Sequence, residues 1–148
     1  MKSTKPEEIK SPTRSRKTVT ISQTVYIPAK PVEVYDMFLN PRKHAQFTGA
    51  KATIQRRIGG KFTAWDGYIS GTIIEMVPRK KIVQEWQTTE WPSGMEPSIL
   101  ELQFNHEGDG TTITLTQSKV PSAQAKGYEK GWNDFYWEPL KKYFNRPM

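Results

Sequence analysis

The chain has no cysteine and only two histidines among its 148 residues. The absence of cysteine excludes a disulfide scaffold, a cysteine-ligated zinc or iron–sulfur site and a thiol nucleophile. Apart from Glu107 beside His106, neither His44 nor His106 has a ligand-type neighbour at metal-binding spacing. We therefore predict no metal and no other cofactor.

Long apolar runs are also missing. No run approaches the ~20 residues that a membrane-spanning helix needs, and residues 1–17 lack the apolar core of a secretory signal. These absences predict a cytoplasmic protein that does not bind a membrane. Nucleophile-elbow, P-loop and dinucleotide-binding motifs are absent too, and no acid–base–nucleophile set is visible, so we predict that the chain is not an enzyme.

Positive charge is concentrated at one end of the sequence. The net charge is +7, and residues 1–17 contribute +4 of it through six basic and two acidic side chains. With little apolar surface to bury, residues 1–17 are predicted to be a disordered basic tail, and residues 18–148 a single domain. The tail is either a solvated extension or a contact for an acidic partner or nucleic acid. The body has no basic stripe interleaved with aromatics, so we expect no nucleic-acid binding by the domain.

Short runs of alternating residues predict a sheet in the body of the chain. Thr18–Tyr26 places β-branched apolar residues on one face and hydroxyl residues on the other, as a half-buried strand does. Pro31 begins a short amphipathic helix that ends near Asn40, and Arg42–Thr48 adds a second short turn. Further strands between turn signals form a predicted antiparallel meander: Ala50–Arg56, Lys61–Trp65, Ile69–Val77, Lys81–Thr89, Ser98–Asn105 and Thr111–Ser118.

The last segment carries a helical stripe with an unusually aromatic face. Pro139 lies within this segment and should kink its last turns or divide them from the rest. The stripe consists of Tyr128, Trp132, Phe135, Tyr136, Leu140, Tyr143 and Phe144.

One long helix can cover only part of a sheet's concave face, so a pocket is expected between the two. The alternative is that large aromatic side chains simply fill this gap. Glu75 and Glu85, which lie in predicted strands, either face solvent or point inward as proton-transfer groups. The side chains expected to line the gap are Phe38, Trp86, Phe104, Tyr128, Trp132 and Phe135.

A series of motifs resembles the C-terminal domain of the activator of the heat-shock-protein-90 ATPase. That family belongs to the Bet v 1-like, START-related superfamily of helix-grip domains. The resemblance covers about residues 20–145. The matching segments are Pro31-Val32-Glu33-Val34-Tyr35, Phe38, Gly59-Gly60-Lys61-Phe62, Asp66-Gly67-Tyr68-Ile69-Ser70-Gly71, Val77-Pro78-Arg79-Lys80-Lys81-Ile82-Val83, Trp86, Trp91-Pro92-Ser93-Gly94 and Gly131-Trp132.

The resemblance implies an α+β helix-grip fold, with a curved antiparallel sheet around a long C-terminal helix and one or two short helices after the first strand. It also implies a co-chaperone that binds heat-shock protein 90 and modulates its ATPase by preferring one chaperone conformation. The family's N-terminal domain, which makes the main chaperone contact, is not in this sequence. Many superfamily relatives bind small molecules, so the alternative function is binding of a small hydrophobic, lipid-like ligand between sheet and helix.

A docking patch for the chaperone is expected at hairpin ends. The two densest basic groups of the body lie there, although charges at such turns also serve simply to solvate them. Trp91, in a loop before Pro92, is a candidate exposed contact aromatic; alternatively it folds back over the end of the sheet. The predicted patch consists of Arg56, Arg57, Arg79, Lys80, Lys81 and Trp91.

Overall fold

A computed structural model describes residues 17–145, so the predicted tail lies almost entirely outside the described residues. Strands and helices follow the order expected from the sequence. The strands are β1 (Thr18–Ile27), β2 (Thr53–Ile54), β3 (Lys61–Ala64), β4 (Ile69–Val77), β5 (Lys81–Thr88), β6 (Ser98–Glu107) and β7 (Gly110–Pro121). The helices are α1 (Pro31–Leu39), α2 (Pro41–Thr48), α3 (Ala125–Trp132), a π-helical segment (Asn133–Trp137) and α4 (Glu138–Phe144).

The strands form one antiparallel sheet in the order β1-β7-β6-β5-β4-β3-β2. Consecutive strands from β3 to β7 pair with each other as hairpins. The last strand, β7, also pairs with the first strand, β1, from Thr18↔Pro121 to Ile27↔Thr111. The predicted α+β arrangement, a sheet with two short early helices and a C-terminal helix, is confirmed.

Asn40 explains why two short helices form in place of one. It ends α1, and its side-chain oxygen accepts hydrogen bonds from the backbone N–H groups of Arg42 and Lys43 at 2.9 and 3.1 Å. Pro41 then occupies the first turn of α2, where a missing N–H costs nothing. Gly49 closes α2 with a φ of 82°, a left-handed conformation that glycine adopts without strain.

The predicted strand Ala50–Arg56 is wrong in length, because only Thr53–Ile54 pairs with β3. Beyond Ile54 the chain turns tightly, with the Gly60 N–H bonded to the Arg57 carbonyl at 2.9 Å. A Cβ at Gly60 would lie 2.0 Å from the Gln55 carbonyl oxygen, so this turn requires glycine.

Glu75 and Glu85, the two carboxylates in predicted strands, are not buried. A β-bulge between Ile73 and Glu75 shifts the register of β4 against β5, and Glu75 lies 3.3 Å from the ammonium of Lys81 at the surface. Glu85 is half-buried. The structure therefore offers neither residue as a buried proton-transfer group.

The C-terminal helix changes its pitch before Pro139. The Glu138 N–H bonds to the Asn133 carbonyl five residues back, which defines the π-helical segment. Pro139 follows at the start of α4, so the irregularity lies before the proline, as a π turn within a continuous helix, and the chain is not divided at Pro139 itself. The extra residue in this turn rotates the aromatic stripe: Trp137 is buried at 3% exposure, whereas Phe135, predicted to face the sheet, is 53% exposed.

Two alanine variants test this rotation. Trp137→Ala should lower the free energy of unfolding by about 3–5 kcal/mol, because it empties a core site. Phe135→Ala should cost less than about 1 kcal/mol, because its ring is largely in solvent. Urea denaturation of both variants measures the difference, and an equal or reversed cost would contradict the π-helical register.

Candidate functional site

A cavity of about 340 Å³ lies between the C-terminal helix and strands β3 to β5. Seven of its nine lining residues are aromatic, and the other two are Ile69 and Gly131. We call it the aromatic cavity; its lining residues are Trp65, Tyr68, Ile69, Trp86, Tyr128, Gly131, Trp132, Phe135 and Tyr136.

Four of the six side chains expected to line the gap surround this cavity: Trp86, Tyr128, Trp132 and Phe135. Phe104 lies elsewhere, because α1 packs over its part of β6 and its ring meets Tyr35 at 5.5 Å. Phe38 also belongs to that packed region, 5.9 Å from the Phe104 ring. The sheet and helix are therefore sealed by aromatics near α1 and open near the β3–β4 hairpin.

Hydrogen-bonded hydroxyl groups form the rim of the aromatic cavity. The Tyr68 hydroxyl donates to the Glu90 carboxylate at 2.6 Å, and burial together with this bond raises the pKa of Tyr68 to about 12. The Tyr128 hydroxyl lies 2.7 Å from the Thr88 Oγ1 and donates to the Gln124 side chain at 2.8 Å. These groups fix the rings that line the opening.

Trp91 folds back over this end of the sheet. Its half-buried ring stacks on Tyr128 with 5.9 Å between centroids, and its indole N–H donates to the Glu96 carbonyl at 2.9 Å. Lys81 begins β5 and Trp91 follows its far end, so the length of the whole strand, at about 3.3 Å per residue, separates them. The structure therefore does not bring Trp91 together with the basic residues of the predicted patch.

A buried histidine–tyrosine pair adjoins the aromatic cavity, and the sequence did not reveal it. His44 lies in α2 at 6% exposure, with its Nε2 atom 2.9 Å from the Tyr136 hydroxyl. Burial lowers the pKa of His44 to about 4, so at neutral pH the ring is uncharged and can accept from that hydroxyl. Among residues 17–145 its Nδ1 atom makes no hydrogen bond of normal geometry, although the backbone of Phe38 and Met37 lies close enough to raise the pKa in part. The sequence feature that could have indicated burial of His44 is its spacing from Phe47, three residues later on the same face of a short helix.

A separate surface groove of about 910 Å³ lies where α1 begins beside the β4–β5 hairpin. We call it the basic groove. Its charged lining comes from Lys30, Arg79, Lys80 and Lys81, and His106 lines it as well. The lining also includes Val32, which is 50% exposed. The remaining lining residues are Pro31, Val77, Gln103, Phe104 and Asn105.

Arg56 approaches the basic groove from the other side of α1. It shares an adjoining cleft with Arg79, and its guanidinium lies 2.6 Å from the Asp36 carboxylate. Lys43 also contacts Asp36, at 2.8 Å. Burial opposes ionisation of Asp36, but the hydrogen bonds from Lys43 and Arg56 outweigh it and hold the pKa of that carboxyl below its usual range. Arg57 is exposed and lines neither cleft.

The predicted basic residues therefore differ in how much free charge they present. Arg56 is paired with Asp36, and Lys81 is paired with Glu75. Arg79 and Lys80 are exposed and form no ion pair with any acidic side chain in residues 17–145. Lys30, which is also exposed and has no ion pair within these residues, carries the uncompensated charge of the basic groove together with these two side chains.

The described part of the chain groups no three histidine or acidic side chains that could hold a metal ion. None of its helices is both long enough and apolar enough to span a membrane.

The architecture is the helix-grip fold, as a solved structure shows. An HSP90 activator from Plasmodium falciparum superposes with a TM-score of 0.76 at 20% identity, over 88% of this chain and 97% of that one. The family model described as "Activator of Hsp90 ATPase homolog 1-like protein" matches residues 28–145. The chain therefore belongs to this family.

Two relatives carry the same activity in their names. Human "Activator of 90 kDa heat shock protein ATPase homolog 1" is 31% identical over 140 residues, which is 95% of this chain and 40% of the human protein. The homologue from Dictyostelium discoideum is 29% identical over 91% of this chain and 35% of its own length. The chain thus spans two fifths or less of these relatives.

Stability should depend on pH through His44. Between pH 6.5 and about 4 the unfolded chain binds a proton at this residue and the folded chain does not, so stability falls as the pH drops through this window. The free energy of unfolding should decrease by about 2–3 kcal/mol between pH 7.5 and 4.5.

Urea denaturation across this pH range measures the effect. His44→Phe, which cannot be protonated, is the matched control and should lose most of the pH dependence. Asp36 contributes only at lower pH, because the pKa of its carboxyl lies below the ordinary value. A wild-type profile that is flat from pH 7.5 to 4.5 would contradict a neutral, buried His44.

Proposed function

We propose that this chain binds heat-shock protein 90 and modulates its ATPase, with the basic groove as the docking surface. As part of the same proposal, it works in the cytoplasm as a binding protein and not as an enzyme. Membership of the Hsp90-activator family over residues 28–145 is the observation that carries the proposal. The relatives' names support it, although the chain covers only part of their length.

The basic groove supplies the physical basis for docking. Unpaired charge at Arg79 and Lys80 attracts an acidic surface and speeds encounter. Exposed Val32 beside them offers apolar area that a partner can bury. Modulation of the ATPase then requires that the groove bind one chaperone conformation more tightly than the other.

The ATPase rate of the same organism's heat-shock protein 90 tests the proposal. Increasing amounts of this chain should change the rate saturably, and the effect should weaken as salt screens the charges. The double variant Arg79→Glu and Lys80→Glu should weaken binding at least tenfold, because it reverses the free charge of the groove.

Lys51→Glu together with Lys126→Glu is the matched control. Both lysines are exposed and lie outside the basic groove, so this variant changes net charge equally without altering the surface in question. It should retain binding within about twofold. Equal losses in the two double variants would contradict docking at the groove, and no binding by the wild type would contradict the proposed function.

A second candidate function is binding of a small hydrophobic ligand in the aromatic cavity. The cavity's volume, about 340 Å³, and its apolar aromatic lining favour it. Saturable binding of a fluorescent apolar probe would support this function, and its absence would leave the aromatics as packing alone.

A further inference from the structure

We infer that the aromatic cavity binds an uncharged, planar aromatic molecule of two or three fused rings that carries a hydrogen-bond acceptor. The inference rests on the second candidate function and specifies the chemistry of its ligand. It does not involve the chaperone or the basic groove.

The size of the cavity sets the size of the ligand. Its volume of about 340 Å³ lies near the lower end of the roughly 300–1,000 Å³ range of ligand pockets. It is about twice the ~150 Å³ of an apolar cavity that holds benzene. Two or three fused rings therefore match the space, whereas a two-chain membrane lipid exceeds it.

The walls of the cavity set the ligand's charge and shape. None of the nine lining residues is charged, so an ionised ligand would lose its hydration without gaining a counter-charge. The Trp86 ring meets Tyr128 edge-on at 5.3 Å and tilts by 34° against Trp132 at 5.8 Å. Some aromatic rings of the lining present their faces and others their edges. A flat aromatic ligand can therefore stack on one ring and make an edge-to-face contact with another.

A buried donor at the cavity wall favours an acceptor on the ligand. Trp65 lines the cavity, and its indole N–H is buried without a hydrogen bond of normal geometry, even though it lies close enough to the Tyr136 hydroxyl to act on it. A buried N–H without a well-formed hydrogen bond is costly. A carbonyl oxygen on the ligand would give this group the well-aligned acceptor that the Tyr136 hydroxyl does not provide.

Gly131 leaves the space open on the helix side. A Cβ built there would meet only the Phe135 ring, at 3.7 Å, so a larger side chain would project into the cavity without a backbone clash. Gly127, one turn earlier, is exposed and has nothing within 4 Å of such a Cβ. These two helical glycines form a matched pair, because leucine improves helix propensity equally at both.

The experiment uses prodan, a neutral naphthalene ketone whose emission reports an apolar site. Wild type should bind it saturably at one site per chain. Gly131→Leu should bind at least tenfold more weakly, and Gly127→Leu should stay within about twofold of wild type. In competition, 2-acetylnaphthalene should displace prodan at least fivefold better than 2-ethylnaphthalene, and Trp65→Phe should remove that preference.

The outcomes separate the inference from the function on which it rests. Saturable binding of cis-parinaric acid, a fluorescent fatty acid, without binding of prodan would overturn the ligand class and keep the ligand-binding function. Binding of neither probe would overturn both. Equal prodan affinity in the two leucine variants would overturn the site, and equal displacement by the two competitors would overturn the acceptor.

Discussion

Packing of the C-terminal helix against the concave face of the sheet is the constraint on which the rest of the structure depends. The rings of Trp132 and Trp137 are buried in this interface, and glutamine side chains on the sheet accept hydrogen bonds from their indole N–H groups. The Trp132 N–H donates to Gln117 at 2.9 Å, and the Trp137 N–H donates to Gln23 at 2.8 Å. Each ring therefore buries a large apolar area while its indole nitrogen keeps a hydrogen-bond partner.

This interface divides the molecule into a packed region and an open one. Where α1 and α2 lie over the sheet, rings such as Phe38 and Phe104 meet in close contact and no large space remains. Where the chain runs from β3 to β4 without a covering helix, the helix and sheet enclose the aromatic cavity. The basic groove lies outside this interface, at the start of α1, so the two surfaces can act independently.

Much of the fold could be predicted, because the patterns that specify it are local. The strict alternation in β1, β6 and β7 identifies strands directly, and Asn40-Pro41 marks both the end of α1 and the start of α2. Positions in the C-terminal helix after Trp132 could not be predicted in the same way. A π turn inserts a residue without changing the hydrophobic composition, so regular helical spacing assigns Phe135 to the core and Trp137 to solvent.

The candidate site was predictable only in part, since it depends on contacts between distant segments. The hairpin ends that carry Arg79 and Lys80 could be identified from the sequence, but the ion pairs that neutralise Arg56 and Lys81 could not. The pair of His44 and Tyr136 joins residues 92 positions apart, and no local pattern connects them. Trp91 lies before a proline in a loop, and only the position of Tyr128 shows that it folds inward.

Methyl NMR of the labelled chain titrated with heat-shock protein 90 tests the central claim most directly. Val32 and Val77 line the basic groove, and Ile69 lines the aromatic cavity. Docking at the groove predicts that the two valine signals shift or broaden on titration while the Ile69 signal stays unchanged. Perturbation of Ile69 with unperturbed valines, or no change in any of the three, would contradict it.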